Sequence, residues 1–269
     1  MALKICDPHV HMYARVTDDY EHMALAGIEL IIEPAFWLGE PRKHAGSFFD
    51  YFDHLHNYET TRAAQFGIDH FVTFALNPRE SNDPKLRKEV LAELPRYLDY
   101  ARCVAVGEIG FDLINDAEEE SLRAQLAMAR ERGLPVLIHT PHHRKKLGTE
   151  RTIAVLKDMQ YDMSKVLIDH NTEETTDLSQ RSGAWAGHTV YPITKLSPER
   201  MTGILQQYGS TRMICNSSAD WGISDPLMVP KTVREMRRRG MPESEIERVV
   251  WGNPVAFFAQ SGRLAKHAP

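Results

Sequence analysis

Near the start of the chain, Asp7-Pro8-His9-Val10-His11 follows the apolar run Leu3-Lys4-Ile5-Cys6. On an extended strand alternate side chains share a face, so Asp7, His9 and His11 point the same way. Two imidazoles at that spacing sit roughly 6–7 Å apart along the strand, and both can turn a ring nitrogen to one metal ion at ~2.0–2.1 Å. Two surface histidines at a strand end leave the same local pattern. The difference lies in whether further metal-binding side chains recur at the ends of later strands.

They recur. Glu108 stands in Gly107-Glu108-Ile109-Gly110-Phe111-Asp112, His139 in Ile138-His139-Thr140, and His170 in Asp169-His170-Asn171. Asp220 closes Ser217-Ser218-Ala219-Asp220. Each group ends a short apolar run. Singly, His139 reads as a core histidine and Asp220 as a turn cap. Glu108 resists such a reading, because an unpaired buried carboxylate is costly. Together, four histidines and two carboxylates at one end of a parallel sheet can hold one or two divalent ions.

The elements that must bring them together are eight apolar runs: Leu3–His9, Leu30–Phe36, His70–Asn77, Cys103–Phe111, Pro135–Thr140, Lys165–His170, Trp185–Tyr191 and Met213–Ser218. Their spacing of about 30 residues is that of a βα unit, and such runs suit strands buried on both faces. Helical patterns lie between them. Asp116–Arg132 is the clearest, acidic at its start, basic at its end and stopped by Gly133. Asp50–Phe66, Pro84–Tyr100, Thr149–Met159, Glu173–Gln180 and Pro198–Tyr208 follow the same alternation, and three short helices follow the last strand. Eight strands alternating with helices predict an α/β fold, a (β/α)8 TIM barrel forming one domain over residues 1–269. A doubly wound open sheet is the competing architecture, with its ligand site at a single switch point. Residues 37–52, rich in aromatics, follow the second strand. They read as a lid or pocket wall, as half of a homo-oligomer contact, or as a loop packing its rings on its neighbours.

The 269 residues carry a net charge of −5, which argues against a broad basic face for extended nucleic acid and leaves a small-molecule substrate as the expected partner. Cys6, Cys103 and Cys215 each sit in an apolar run without paired spacing, so buried thiols in a reducing, cytoplasmic setting are expected. No stretch reads as membrane-spanning, and the first strand leaves no room for a leader.

These motifs resemble those of the TatD family of metal-dependent hydrolases, within the amidohydrolase superfamily. Asp7-Pro8-His9-Val10-His11 is similar to its D-x-H-x-H opening, Gly107–Asp112 to its G-E-x-G-L-D, and Pro135–His139 to its fifth-strand histidine segment. His170 and Asp220 fall in the matching order, and Gly252–Phe258 resembles the closing N-P-x-x-L/F-F. The resemblance implies that His9, His11 and Asp220 hold one metal, that His139 and His170 hold the other, and that Glu108 bridges them. It also implies hydrolysis of nucleic-acid ends or small phosphoesters. Three segments depart from the pattern: Ser218-Ala219-Asp220 lacks the family's acidic residue before the aspartate, no arginine closely follows His139, and the H-x-F-x-G segment is absent after Asp169.

On this reading a metal-activated water attacks the substrate, with Asp220 as proton acceptor and donor. Nitrogen-rich ligation favours Zn²⁺, with Mn²⁺, Fe²⁺ and Ni²⁺ as alternatives. Arg144 and Lys195 are candidates for an anionic substrate group. His142, His143 and His188 could add hydrogen bonds or ligation, Glu33 another pocket contact, and Asp7 would orient a ligand histidine. A phosphoester or nucleotide-type substrate is the first expectation. An amide, lactone or other carboxylic ester is the second, and a non-enzymatic binding subunit the third.

Overall fold

A computed structural model describes residues 3–264 and 266–267. The eight strands are β1 (Ile5–Asp7), β2 (Ile28–Pro34), β3 (Asp69–Phe74), β4 (Cys103–Gly110), β5 (Val136–His139), β6 (Val166–Ile168), β7 (Trp185–Thr189) and β8 (Met213–Asn216). They form one sheet in sequence order, each successive pair from β1 to β8 parallel, as a TIM barrel requires.

Between β8 and β1 the barrel is joined at the ends of the strands. Ser218 N donates to the His9 carbonyl at 2.7 Å and His11 N to the Ala219 carbonyl at 2.7 Å. The buried Asp7 carboxylate spans the same joint, taking Ser217 N at 3.1 Å and His9 N at 3.4 Å. Asp7 thus fastens backbone rather than orienting a histidine ring.

The helices are α1 (Thr17–Leu25), α2 (Ala45–Asp53), α3 (Thr60–Ala64), α4 (Pro84–Leu98), α5 (Asp116–Arg132), α6 (Lys145–Asp158), α7 (Thr176–Ser182), α8 (Pro198–Tyr208), α9 (Met228–Arg238), α10 (Glu243–Glu247) and α11 (Asn253–Phe258). Local chemistry explains their ends. Asn115 accepts from Glu118 N to start α5, and Gly133 ends it at φ 66°, a left-handed conformation that glycine adopts without strain. Ser197 caps α8 in the same way, with Pro198 in its first turn.

Three differences from the sequence reading matter. Helix α1 was not anticipated; it buries little beyond Tyr20 and Met23, so its apolar stripe is thin. Helix α6 begins at Lys145, four residues before the expected Thr149, which places Lys145 in its first turn. Much of the aromatic segment 37–52 is helix: Phe48, Tyr51 and Phe52 are buried in the layer between strands and helices, and only its first part borders the cleft.

The chain's last segment closes the opposite mouth. Asn253 Nδ2 bonds the carbonyls of Ser210 and Met213, while Arg263 bonds those of Leu98, Tyr100 and Cys103, at the beginnings of β8 and β4 and the turns that lead into them. Phe257 and Phe258 pack with Cys6, Leu30, Leu137, Leu167 and Ile214 as one cluster. The other mouth, where the strands end, is left for chemistry. No helix among the described residues is long and apolar enough to cross a membrane.

Candidate metal centre

At that mouth the ligand atoms of His9, Glu108 and His170 lie within 4.8 Å of one another, all three residues buried. Glu108, near the end of β4, is the hub. Its Oε1 is 3.2 Å from His170 Nε2 and 3.3 Å from His139 Nδ1; its Oε2 is 3.4 Å from His9 Nε2. His11 joins through His9, with their Nε2 atoms 3.2 Å apart.

The hydrogen bonds behind the rings decide what those inner nitrogens carry. His11 Nδ1 faces the Pro34 carbonyl at 3.2 Å, and a carbonyl can only accept, so the proton sits on Nδ1. His9 Nδ1 faces the Asp169 carboxylate at 2.7 Å with the same consequence. Asn216 Nδ2 donates to Asp169, and its Oδ1 accepts from the Thr189 hydroxyl, so that hydroxyl accepts from His170 Nδ1–H at 2.6 Å. Three Nε2 lone pairs are therefore aimed at one another and at a carboxylate. Such a set repels itself unless a cation lies among its members. This donor chemistry fits a divalent metal.

The acid–base balance says the same. Burial alone would lower the His9 imidazole, yet the charges of Glu108 and Asp169 outweigh it and hold it at about 9. Burial and the His9 charge push His11 down to about 4. Burial and the Lys195 ammonium lower His170 well below its usual value. Glu108, despite burial, is kept well below the ordinary carboxylate range by His9 and the hydrogen bonds of His139 and His170.

The backbone is shaped for it. His170 adopts φ 59°, a left-handed conformation unusual for a residue with a side chain. A Cβ on Gly187 would stand 2.4 Å from Asp169 Oδ1, so only glycine leaves room for that carboxylate.

Asp220 occupies the loop after β8, on the wall of the cleft that also contains His139 and Lys195. Its Oδ1 accepts from Tyr191 OH at 2.9 Å and Gly222 N at 2.8 Å. Arg15 grips the same loop through the Asp220 carbonyl and Ser224. Lys195 Nζ is 3.3 Å from His170 Nδ1 and 3.3 Å from Ser218 Oγ. His142 borders the cleft.

Other residues singled out from the sequence lie elsewhere. Glu33 is buried, facing outward from the barrel, where it takes Tyr13 N at 2.9 Å and contacts His70 Nε2 at 2.8 Å. His188 is fully buried against α7, bonded to Thr176 and the Ala186 carbonyl. Arg144 is exposed on an adjacent outer groove, and its neighbour Lys145 faces the cleft instead. The residues that sequence reasoning passed over are Asp169, Thr189 and Asn216 behind the imidazoles, Lys145 on the wall, and Tyr191 beside Asp220. Only Asp169 left a signal, as the residue preceding His170.

The Glu33 placement has a measurable outcome. Burial and the charge of Glu59 push its pKa well above the ordinary range. The folded carboxyl keeps its proton to higher pH than the unfolded one, so wild-type stability falls once pH passes about 4.3. Glu33→Gln keeps the shape and removes that loss. It is expected to melt with wild type at pH 4 and several degrees higher at pH 7.5, with unchanged turnover. A raised KM in a fully folded variant would return Glu33 to the pocket.

Comparison with known proteins agrees with this geometry. Residues 6–259 match the family described as TatD related DNase. An uncharacterized metal-dependent hydrolase of Methanocaldococcus jannaschii is 32% identical over 254 residues, covering 94% of this chain and 98% of that one. The structure of a TatD-like protein from Archaeoglobus fulgidus superposes with a TM-score of 0.77 at 25% identity, covering 94% of this chain and 99% of that chain. The phosphotriesterase homology protein of Escherichia coli, at a TM-score of 0.69 and 14% identity over 95% of this chain and 99% of its own, shares the fold. On a match that runs through nearly its whole length and spans every strand end described above, this chain belongs to the TatD-related DNase family and is a metal-dependent hydrolase.

Proposed function

We propose that this hydrolase cleaves phosphoesters of small molecules. The observation that carries this reading is a pair of lysines. Lys145 and Lys195 face one cleft of about 260 Å³ alongside His139 and His170, with Arg200 at its edge. Arg200 is neutralised by Glu173 at 2.7 Å. Among the described residues neither lysine forms an ion pair; their contacts are Thr140, His170 and Ser218. Burial and the charge of Lys195 lower Lys145 to about 8. Burial lowers Lys195 as well. Glu174 lies on the same cleft, but two shielded ammonium groups held outside any ion pair form a site for an anion. A phosphoester brings one; a lactone or an amide does not.

His9, His11, His139, His170, Glu108 and Asp220 are the proposed holders of one or two divalent cations. Imidazole-rich ligation favours Zn²⁺ over Mn²⁺, Fe²⁺ and Ni²⁺. When bound, the cation supplies a hydroxide nucleophile near neutral pH and offsets charge on the phosphoryl oxygens. Asp169, Pro34 and Thr189 hold the ring protons on the outer nitrogens, so the inner ones stay available. Lys145 and Lys195 bind the non-bridging oxygens. Asp220, with Oδ1 fixed by Tyr191 and Gly222, keeps Oδ2 to accept the proton of the attacking water and pass it toward the leaving group. Three buried, unpaired cysteines suit a cytoplasmic setting.

The test is a panel of phosphomonoesters, phosphodiesters, lactones and amides given to metal-reconstituted enzyme. Phosphoester turnover is expected, with inorganic phosphate competing. Lys145→Ala and Lys195→Met should each raise KM for the phosphoester by about 10–100-fold, the size of one charged hydrogen bond. Lactone or amide opening without phosphoester cleavage would overturn the reading, as would lysine variants of unchanged KM.

A further inference from the structure

Across from the lysines the cleft changes character. A second cavity of about 390 Å³ shares His139, His142, Thr194 and Lys195 with the first, and is walled by Phe36, Trp37, Tyr191, Ile193, Trp221 and Ile223. Among the described residues nine large apolar side chains are exposed, and three of them meet here: Ile193 at 86%, Ile223 at 73% and Trp221 at 49%. The other six do not line this cavity. A local concentration opening onto a metal centre calls for a ligand.

The rings are held in place. Trp37 and Trp221 pack edge to face, with centroids 5.6 Å apart and planes at 69°. Arg79 lies over the Trp37 ring at 4.2 Å and is itself tied to Asp112 at 3.2 Å. Phe36 continues the surface inward, stacked on His11 at 5.7 Å and against His139 at 5.3 Å. Arg42 fastens the segment behind them, bonding the Phe36 carbonyl and Glu80 while its guanidinium rests on Phe48. A rigid aromatic wall presents ring faces at little entropic cost.

We propose that this wall is a stacking subsite for a planar aromatic group of the substrate, one or two fused rings wide, bonded to the phosphoryl group held by the lysines. The inference rests on the phosphoester reading and adds the other half of the substrate. Charge is divided accordingly: the cationic wall takes the anion and the apolar wall takes the ring. The metal centre lies where they meet. Stacking on an indole tolerates any aromatic ring of suitable width, so the subsite selects planarity rather than one hydrogen-bonding pattern.

The test is calorimetric titration of metal-reconstituted enzyme with inert phosphonates: methylphosphonate, phenylphosphonate and naphthylmethylphosphonate. In wild type the naphthyl compound is expected to bind at least about 10-fold more tightly than the methyl compound, the scale of one stacked ring. Trp221→Ala and Trp37→Ala should each reduce that ratio below about 3, with methylphosphonate as the reference within each variant, and Trp221→Phe should restore part of it. Equal affinity across the series, or a preference that survives both alanine variants, overturns the subsite while leaving the phosphoester reading standing. Failure of every phosphonate to bind overturns that reading and this one with it.

Discussion

Glu108→Gln is expected to empty the metal centre. Purified variant should carry under about a tenth of the wild-type metal, and turnover should fall by about a thousandfold or more. The change exchanges one oxygen for an amide nitrogen and keeps the volume. Three imidazole nitrogens lie within 3.4 Å of that carboxylate, and its negative charge makes a cation welcome among them. An amide supplies no charge and turns a donor toward the cation's position. Elemental analysis and activity on the same preparation check the expectation, with circular dichroism to show that the barrel is intact. Stoichiometric metal with near-normal turnover would remove Glu108 from the centre and undermine the cluster drawn around it.

Asp220→Asn separates holding metal from moving protons. The amide oxygen can still accept from Tyr191 and Gly222, so the loop should keep its shape. The four histidines and Glu108 are untouched, and at least one equivalent of metal should remain. The lost function is proton acceptance, and kcat is expected to drop by about 10²–10⁴-fold. A kcat within a few-fold of wild type would assign the proton to another group, with His142 an alternative on that wall.

The strand-end motifs were legible because the parallel barrel places every strand's last residues on one rim. His9, His11, Glu108, His139 and His170 needed no finer information than that. Orientation was harder to read. Thr189 faces the metal centre, and its neighbour His188 faces α7, yet every residue from Ala186 to Thr189 is buried. A strand covered on both sides carries no polar alternation to show which residues point inward. Glu33 is misplaced for the same reason: it shares the outward face of Ile31, which packs with Tyr20 and Met23 of α1, a helix the apolar pattern did not reveal. The supports behind the imidazoles depend on register, Thr189 beside Asn216 and Ile138 beside Ile168, which only the assembled sheet defines. Lys145 was hidden by the boundary of α6, and its exposed neighbour Arg144 drew attention instead.

The joint between the first and last strands gives the centre a mechanical role. Its two backbone hydrogen bonds join His9 and His11 to Ser218 and Ala219, so the hoop is fastened among the residues proposed to hold the ion and beside Asp220. If a cation seats there, it should tighten the ring of staves as well as arm it, and its removal should slacken the barrel where the two ends are tied.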